Sequence, residues 1–192
     1  YETYRLLASL LYPVAYPWLA RKYALGLDER RGFLSEDTRR VVNGAFPVWV
    51  HAVSVGEVQT CRPMLMAARS RDPRIPIALS TTTRTGADIA GRMLDGLYDA
   101  RFFFPWDIPR ILRRFLDELR PKAFATMETE IWPNLLYELH RRGIPSYLVN
   151  ARLSETTFAK IMKRPSFWRP VFGWFRAILA RGEGDVERFL AV

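Results

Sequence analysis

Residues 48–57 read Val-Trp-Val-His-Ala-Val-Ser-Val-Gly-Glu, a short apolar run that ends in a serine, a glycine and an acid. A run of this kind, bounded by turn residues, is typical of a buried strand that leads into a helix. The pattern recurs along the chain, with segments of helical length such as 59–70, 108–119 and 134–142 between the runs, whereas the polar stretch 27–46 before the first run indicates a connection. The six runs are Val48–Val53, Ile75–Ser80, Arg101–Phe104, Lys122–Met127, Ser146–Asn150 and Ala177–Ala180. Strands that alternate with helices predict an α/β fold: right-handed βαβ units that form a parallel sheet of about six strands between two helical layers.

The overall composition limits the classes of function. The chain has 192 residues, of which 49% are hydrophobic, and this allows one domain with a substantial core. The net charge of +9 indicates an anionic partner, which could be nucleic acid, an acidic membrane surface or a phosphorylated substrate. One cysteine and two histidines exclude an internal disulfide and any cysteine-rich or histidine-rich metal site.

The first residues form a segment of their own. Leu6–Ala20 is uncharged and mostly apolar over 15 residues, and Arg21 and Lys22 follow it directly. A membrane-spanning helix needs about 20 such residues, so this run is short for that purpose. Its aromatic residues and its basic end favour an amphipathic helix on a membrane surface, and the alternative is an ordinary core helix. We therefore predict that residues 1–26 are a membrane-associating helix.

Polar residues follow four of the apolar runs, at the point where each predicted strand ends. Ligands of open parallel sheets bind outside the carboxyl ends of the strands, so these segments are the candidate site. They are Ser54-Val-Gly-Glu57, Thr81-Thr-Thr-Arg-Thr-Gly86, Glu128-Thr-Glu130 and Asn150-Ala-Arg-Leu-Ser154. One edge of the sheet is thus expected to carry hydroxyls, glycines, acids, an amide and arginines.

The first two segments each allow a functional and a structural interpretation. Gly56 permits close backbone approach, and the helix start after it offers free N–H groups to an anion. Alternatively, Ser54 is an N-cap and Glu57 complements the helix dipole, which should lower the pKa of Glu57 unless desolvation opposes it. The hydroxyls and the glycine of residues 81–86 likewise suit either phosphate or sugar binding, or helix capping.

Glu128 and Glu130 also have two interpretations. In an extended segment, residues two apart face the same side, and like charges there raise each other's pKa, which suits acid–base chemistry. In the alternative, one acid pairs with Arg152 and the other caps the helix that begins near Pro133. Asp107 reads as the N-cap of the helix that follows it.

Several segments together, in this order and spacing, resemble the N-terminal half of the lipid A 3-deoxy-D-manno-octulosonic acid (Kdo) transferases. They are His51-Ala-Val-Ser-Val-Gly-Glu57, Thr81-Thr-Thr-Arg-Thr-Gly86, Phe104-Pro-Trp-Asp107, Met127-Glu-Thr-Glu-Ile-Trp-Pro-Asn134 and Asn150-Ala-Arg-Leu-Ser154. The resemblance implies a GT-B glycosyltransferase with two Rossmann-like domains and an active site between them. Residues 27–192 would be the acceptor-binding domain. The family transfers Kdo from CMP-Kdo to lipid A precursor in lipopolysaccharide biosynthesis, at the cytoplasmic face of the inner membrane of Gram-negative bacteria, as an inverting enzyme that uses no metal or cofactor.

The resemblance also implies roles for individual residues. Glu57 would be the proton acceptor, and Glu128 would stabilise the transition state. The candidate substrate-binding residues are Ser54, Gly56, Thr82, Thr83, Thr85, Gly86, Asn150, Arg152 and Ser154. Glu130 is expected to be structural, orienting Arg152 or the following helix.

Departures from the family pattern limit what is expected. Arg84 stands where the family often has proline, and Arg181-Gly-Glu183 stands where members commonly show glutamine, a small or polar residue and an acid. The donor-binding domain, with a lysine that the family uses, is not in this sequence, so we expect acceptor binding without turnover. The expected partners are lipid A precursor, an anionic membrane surface and, through the missing domain, CMP-Kdo. The alternatives are a non-catalytic lipid- or phospho-glycan-binding module and, far behind, a nucleic-acid-binding protein, which only the charge suggests.

Overall fold

A parallel six-stranded sheet forms the centre of the computed structural model, which describes residues 1–192. The strands are β1 (Val48–His51), β2 (Ile77–Thr81), β3 (Ala100–Phe103), β4 (Ala123–Met127), β5 (Ser146–Ala151) and β6 (Ala177–Ala180). Each strand lies within or next to one of the six apolar runs. The predicted α/β fold with a parallel sheet and helices on its faces is confirmed.

Ten helices accompany the sheet. They are α1 (Glu2–Lys22), α2 (Leu27–Arg30), α3 (Glu36–Val42), α4 (Val55–Arg71), α5 (Arg84–Met93), α6 (Pro109–Leu119), α7 (Pro133–Arg141), α8 (Glu155–Ile161), α9 (Pro165–Gly173) and α10 (Glu183–Ala191). Two of them lie in the polar stretch 27–46, so the prediction of a plain connection there is wrong. Ser35 caps α3 by accepting the backbone N–H of Thr38 at 3.2 Å, and Val42 of the same helix is buried.

The strand order places the ends of β1 and β4 side by side. From one edge to the other the order is β3-β2-β1-β4-β5-β6, and His51 of β1 is in register with Thr126 of β4. The chain winds outward from β1 in one direction and then, after β3, returns to wind in the other direction from β4. The gap between β1 and β4 is therefore the topological switch point, where open α/β sheets bind ligands.

The central strand explains why the apolar runs are continuous rather than alternating. Trp49 and Val50 point to opposite faces of β1 and are both buried, because helices cover the two faces. Trp49 packs against Phe115 and Phe124, with ring centroids 5.0 and 4.5 Å away, and its indole N–H donates to Ser80 Oγ at 2.7 Å. Removing such an aromatic side chain typically costs about 3–5 kcal/mol, so Trp49 anchors the core under the switch point.

Helix α1 is attached to the domain by tyrosines. The Tyr4 hydroxyl donates to Asp107 Oδ2 at 3.0 Å, and the hydroxyl of Tyr1, just before the helix, donates to Asn134 Oδ1 at 2.8 Å. Two further tyrosines of α1 pack against Trp106, with ring centroids 5.8 and 6.3 Å away. One side of α1 is thus fixed to the domain by side chains that combine an apolar ring with a hydroxyl.

The other side of α1 faces outward and is apolar. Its exposed large side chains are Leu6, Leu7, Leu10, Leu11, Val14 and Trp18, and no residue of the helix is buried. No helix of the structure combines the length and the apolar character needed to cross a bilayer. A first helix is present as predicted, and its association with a membrane remains a prediction.

Candidate active site

Glu57 lies at the switch point, in the first turn of α4 after β1. Its carboxylate accepts the backbone N–H of Val53 at 3.0 Å through Oε2 and the Ser54 hydroxyl at 3.1 Å through Oε1. Ser54 occupies the N-cap position, but its hydroxyl donates to Glu57 instead of accepting a backbone N–H from α4. The acid three residues after the N-cap thus reaches back across the helix start, as in a capping box. Only 8% of Glu57 is exposed, so its carboxylate is both fixed and largely desolvated.

Burial gives Glu57 the character of a base. Desolvation raises the pKa of its carboxyl above the ordinary value, and the hydrogen bonds from Val53 and Ser54 oppose the rise without cancelling it. The negative charge of Glu128 raises the pKa further. The pKa is therefore raised and not lowered, and desolvation is the largest cause. A carboxylate with a raised pKa is a better general base at neutral pH.

Glu128 follows β4 in a tight turn and not in the extended conformation assumed from the sequence. Its φ is +56°, which is uncommon for a residue with a side chain. The backbone is held there from both sides, because the Glu128 N–H donates to Val149 O at 3.0 Å and its carbonyl accepts the Arg152 N–H at 3.2 Å. Strained residues held in this way concentrate at functional sites. The half-buried side chain of Glu128 thus projects from a fixed backbone beside Glu57.

Glu130 is the third acid at this edge. Burial raises its pKa to about 7, and the negative charges of Glu57 and Glu128 add to the rise, whereas the neighbouring Trp132 lowers it. The expected pairing with Arg152 is not formed: that side chain is exposed, and none of the ion pairs of the structure includes it, Glu128 or Glu130. The three acids therefore act on one another at the switch point with no basic side chain to neutralise them.

The hydroxyl segment 81–86 is packed against the loop that precedes Glu57. Thr83 caps α5 by accepting the Gly86 N–H at 3.0 Å, and its hydroxyl donates to Val53 O at 3.2 Å. A Cβ on Gly86 would lie 2.9 Å from Val53 O, so glycine is needed there for close approach. Thr83 and Gly86 thus have structural roles of their own. By contrast, the Thr82 hydroxyl is buried without a hydrogen-bond partner.

The remaining predicted site residues lie at the same edge, in different surroundings. Gly56 faces open space, because a Cβ on it would meet nothing within 4 Å, and its φ does not require glycine. Thr85 is exposed, and its hydroxyl lies 3.3 Å from that of Thr83. Asn150 has a φ of +52° at an irregularity in the β5–β6 pairing. Ser154 is exposed and caps α8 by accepting a backbone N–H at 3.2 Å.

Asp107 supports the site in a way that the sequence did not predict. It is not the N-cap of α6, a position that Ile108 occupies. Its buried carboxylate instead accepts the backbone N–H groups of Asn134, at 3.1 Å, and Leu135, at 2.8 Å, in the first turn of α7. Burial raises the pKa of Asp107 to about 6. The helix that follows Glu130 is thus fixed by an acid 27 residues earlier in the chain, and no local pattern reveals such a partner.

Two further buried residues support the edge without facing it. Arg30 is only 3% exposed, and its guanidinium donates to Thr82 O at 2.7 Å and lies 4.6 Å from the centre of the Phe103 ring. His51 is buried against Phe104, and burial lowers its pKa to about 3, so its ring is neutral at physiological pH. Arg30 therefore holds the hydroxyl segment, and His51 carries no charge into the site.

Solved structures with a related fold are sugar-nucleotide epimerases. A putative UDP-N-acetylglucosamine 2-epimerase from Listeria monocytogenes superposes with a TM-score of 0.51 and 12% identity, over 76% of this chain and 42% of that protein. The UDP-GlcNAc 2-epimerase from Neisseria meningitidis gives the same TM-score and identity, over 76% and 43%. At this identity the likeness shows the fold alone. It defines the class as a Rossmann-like α/β domain, and the switch-point acids give that domain a candidate active site.

The sequence gives the family. Residues 26–192 match the profile of the 3-deoxy-D-manno-octulosonic-acid transferases (kdotransferases), and the chain belongs to this family. It is 35% identical to the 3-deoxy-D-manno-octulosonic acid transferase of Haemophilus influenzae over 169 residues, which are 88% of this chain and 38% of that protein. The transferase of Bordetella pertussis is also 35% identical, over 152 residues, 77% of this chain and 32% of that protein. The chain therefore spans about a third of the length of these relatives, and the predicted family is confirmed.

Proposed function

We propose that this chain is the acceptor-binding part of an inverting glycosyltransferase that transfers Kdo from CMP-Kdo to lipid A precursor in lipopolysaccharide biosynthesis. Family membership supports the transfer of Kdo, and the closest structural support is the state of Glu57. Its carboxylate is buried, held by two hydrogen bonds and raised in pKa at the topological switch point. These are the properties of a positioned general base.

In the proposed reaction, Glu57 takes the proton from an acceptor hydroxyl as the hydroxyl oxygen attacks the anomeric carbon of Kdo. The new C–O bond forms as the bond from that carbon to the CMP phosphate breaks, and CMP leaves with the bonding electrons. Positive charge develops on the sugar ring in such a transition state, and the Glu128 carboxylate, beside Glu57, would stabilise it. No metal or cofactor takes part in this scheme.

The acceptor would be bound by groups that surround these acids. Gly56 leaves room for it, and the unpartnered Thr82 hydroxyl can hydrogen-bond to it. The Arg152 side chain, exposed at the end of β5 and in no ion pair, suits a phosphate. Asn150 and Ser154 on the same segment are proposed to bind it too. We propose that the acceptor-binding surface is also shaped by Ser54, Thr83, Thr85 and Gly86.

The place of action that we propose is the cytoplasmic face of the bacterial inner membrane. The outward side of α1 carries six exposed large apolar side chains, and Arg21 and Lys22 end the helix. A helix with this pattern can lie in the interface of an anionic bilayer without crossing it. Peripheral association through α1 would bring the carboxylate edge to a lipid acceptor, and nucleic acid is not a proposed partner.

A Kdo-transfer assay tests the proposal. It would use CMP-Kdo and lipid A precursor with this chain alone and with this chain joined to the C-terminal donor-binding part of a related transferase. We expect acceptor binding but no transfer by the chain alone, and transfer by the joined protein. Glu57→Gln should reduce that transfer by about 10²–10⁴-fold, the range in which general bases contribute. Undiminished transfer by the variant would refute Glu57 as the base.

The alternative is a membrane-surface module that binds lipid or phospho-glycan without chemistry. The observation in its favour is that Glu57 also serves the fold, by closing the start of α4. A joined protein that folds and binds acceptor but transfers no Kdo would favour this alternative. Complementation in cells would also separate the two hypotheses. Glu57→Gln should abolish the cellular role of a transferase and leave the role of a binding module intact.

A further inference from the structure

A groove next to the carboxylate edge has no part in the proposed chemistry. It lies between the first turns of α1, the segment after Glu130 and helix α9, and its volume is about 470 Å³. This size is within the roughly 300–1,000 Å³ that is usual for small-molecule sites. The groove is lined by Thr3, Tyr4, Leu7, Ile131, Trp132, Pro133, Arg164, Phe167 and Trp168.

The groove adjoins both the acids and the apolar side of α1. Its floor segment, Ile131–Pro133, begins immediately after Glu130 in the chain. Its α1 wall includes Leu7, which is 50% exposed and belongs to the outward apolar side of that helix. The lining thus continues from the catalytic candidates to the surface that is proposed to meet the membrane.

The lining of the groove is largely apolar and aromatic. Phe167 packs against Tyr4 and Trp168, with ring centroids 5.7 and 4.9 Å away. The indole N–H of Trp132 is buried and interacts with the carboxylate of Glu130, whose pKa it lowers, so it is not available to a ligand. Such an apolar wall suits a hydrocarbon chain.

One residue of the groove lining is basic. Arg164 lines the groove, and Lys160 and Lys163 lie close to it in the chain; all three are exposed and none forms an ion pair. The unpaired positive charge of Arg164 in an apolar groove complements a ligand with an anionic head and an apolar tail. This charge favours an anionic lipid over an apolar segment of protein.

We propose that this groove holds one fatty acyl chain of the lipid acceptor and that Arg164 faces the acceptor's phosphate. The proposal rests on the proposed function, because it assigns the acyl chain to the same acceptor that the carboxylate edge receives. A chain in the groove would place the acceptor sugar near Glu130 and its neighbours while the remaining chains stay in the bilayer.

A substitution that fills the groove tests this assignment. Thr3 and Ser9 are small, exposed residues of α1, and only Thr3 lines the groove. Thr3→Trp and Ser9→Trp add the same apolar bulk to the same helix, so a general gain or loss of membrane affinity affects both. Circular dichroism and thermal unfolding would first establish that both variants of the 192-residue chain fold like the unaltered protein.

The probes are a bisphosphorylated glucosamine disaccharide with one twelve-carbon acyl chain, the same disaccharide without it, and dodecyl phosphate. Calorimetric titrations below the critical micelle concentrations would give the dissociation constants. For the unaltered chain and Ser9→Trp, we expect the acylated disaccharide to bind at least about tenfold more tightly than the chain-free one. Thr3→Trp should remove this advantage and leave the binding of the chain-free disaccharide unchanged.

Other outcomes overturn the assignment or separate it from the proposed function. An acyl advantage that survives in Thr3→Trp, or is lost equally in both variants, refutes the groove as the acyl site. If lysophosphatidylcholine competes with the acylated disaccharide and binds equally tightly, the groove is a site for bulk membrane lipid. If the chain self-associates and only Thr3→Trp abolishes this, the groove binds a second copy of the chain. A further outcome would separate the acyl site from the proposed function. If the unaltered chain does not bind the chain-free disaccharide but binds dodecyl phosphate, and only Thr3→Trp loses dodecyl phosphate binding, the proposed acceptor is wrong and the acyl site is supported.

Discussion

Asp107 offers a test of the interactions that hold the first turn of α7 next to the candidate site. Its carboxylate is 9% exposed and accepts hydrogen bonds from the Asn134 and Leu135 N–H groups and from the Tyr4 hydroxyl. These donors favour the charged form, whereas burial favours the neutral form. Burial prevails, since the pKa rises from 3.8 to about 6. We therefore predict that Asp107 makes the protein more stable at mildly acidic pH than at neutral pH, relative to Asp107→Asn.

The size and sign of the effect follow from linkage between protonation and folding. The native state holds the proton more tightly than the unfolded chain, so the stabilisation is fully present below pH 3.8 and is lost as the pH rises through about 6. A rise of this size corresponds to about 3 kcal/mol, most of which is lost between pH 4 and pH 7. Asparagine does not titrate. The free energy of unfolding of the unaltered chain, minus that of Asp107→Asn, should therefore fall by about 2–3 kcal/mol over this range.

Urea unfolding followed by tryptophan fluorescence at half-unit pH steps would measure this difference. Glu57 and Glu130 also have raised pKa values, but they are present in both proteins and cancel in the difference. Asp88→Asn, at an exposed position on α5, is the matched control for the loss of one carboxylate. A difference for Asp107→Asn that is constant, or that grows with pH, would show that the hydrogen bonds outweigh burial and would refute the reasoning.

Further predictions concern the switch point itself. Gly86→Ala should lower the free energy of unfolding by about 1–3 kcal/mol, because its Cβ would lie 2.9 Å from Val53 O. Gly56→Ala, whose Cβ meets nothing within 4 Å, should change it by less than about 1 kcal/mol, and equal losses in urea unfolding would contradict this contrast. Glu128→Gln should lower the pKa of Glu57, because the negative charge of Glu128 is one cause of its rise. A carbon-detected NMR titration that finds the Glu57 pKa unchanged or higher would disprove this coupling.

The strands were predictable because burial on both faces leaves a strong signal. Trp49 and Val50 must both be apolar when helices cover the two faces of β1, and the same holds for the other central strands. The candidate acids were predictable too, because parallel βαβ units place the residues after each strand at one edge. The adjacency of β1 and β4 was not predictable, because the alternation of strands and helices does not show where the strand order reverses direction. The interaction of Glu57 with Glu128 therefore needed the strand order.

The geometry of the site was less accessible from the sequence. The segment around Glu128 seemed extended, because propensity does not reveal a left-handed turn at a residue with a side chain. Asp107 before a proline-initiated helix has the appearance of a local cap, although it caps α7. Arg30 lies in a polar stretch and would ordinarily be taken as exposed. In each case the deciding partner is distant in the chain, so a local pattern favours the local and wrong interpretation.

The position of α1 shows why such distant contacts matter for function. The family match begins at residue 26 and so leaves α1 outside it, yet Thr3, Tyr4 and Leu7 of this helix form one wall of the groove. Tyr4 also donates to the carboxylate of Asp107, which fixes the first turn of α7 directly after the acidic segment. Any displacement of α1 would therefore open the groove and remove a hydrogen bond from Asp107 at the same time. Because the outward side of the same helix is apolar, the membrane contact that we propose would act on both the groove and the first turn of α7 through one helix.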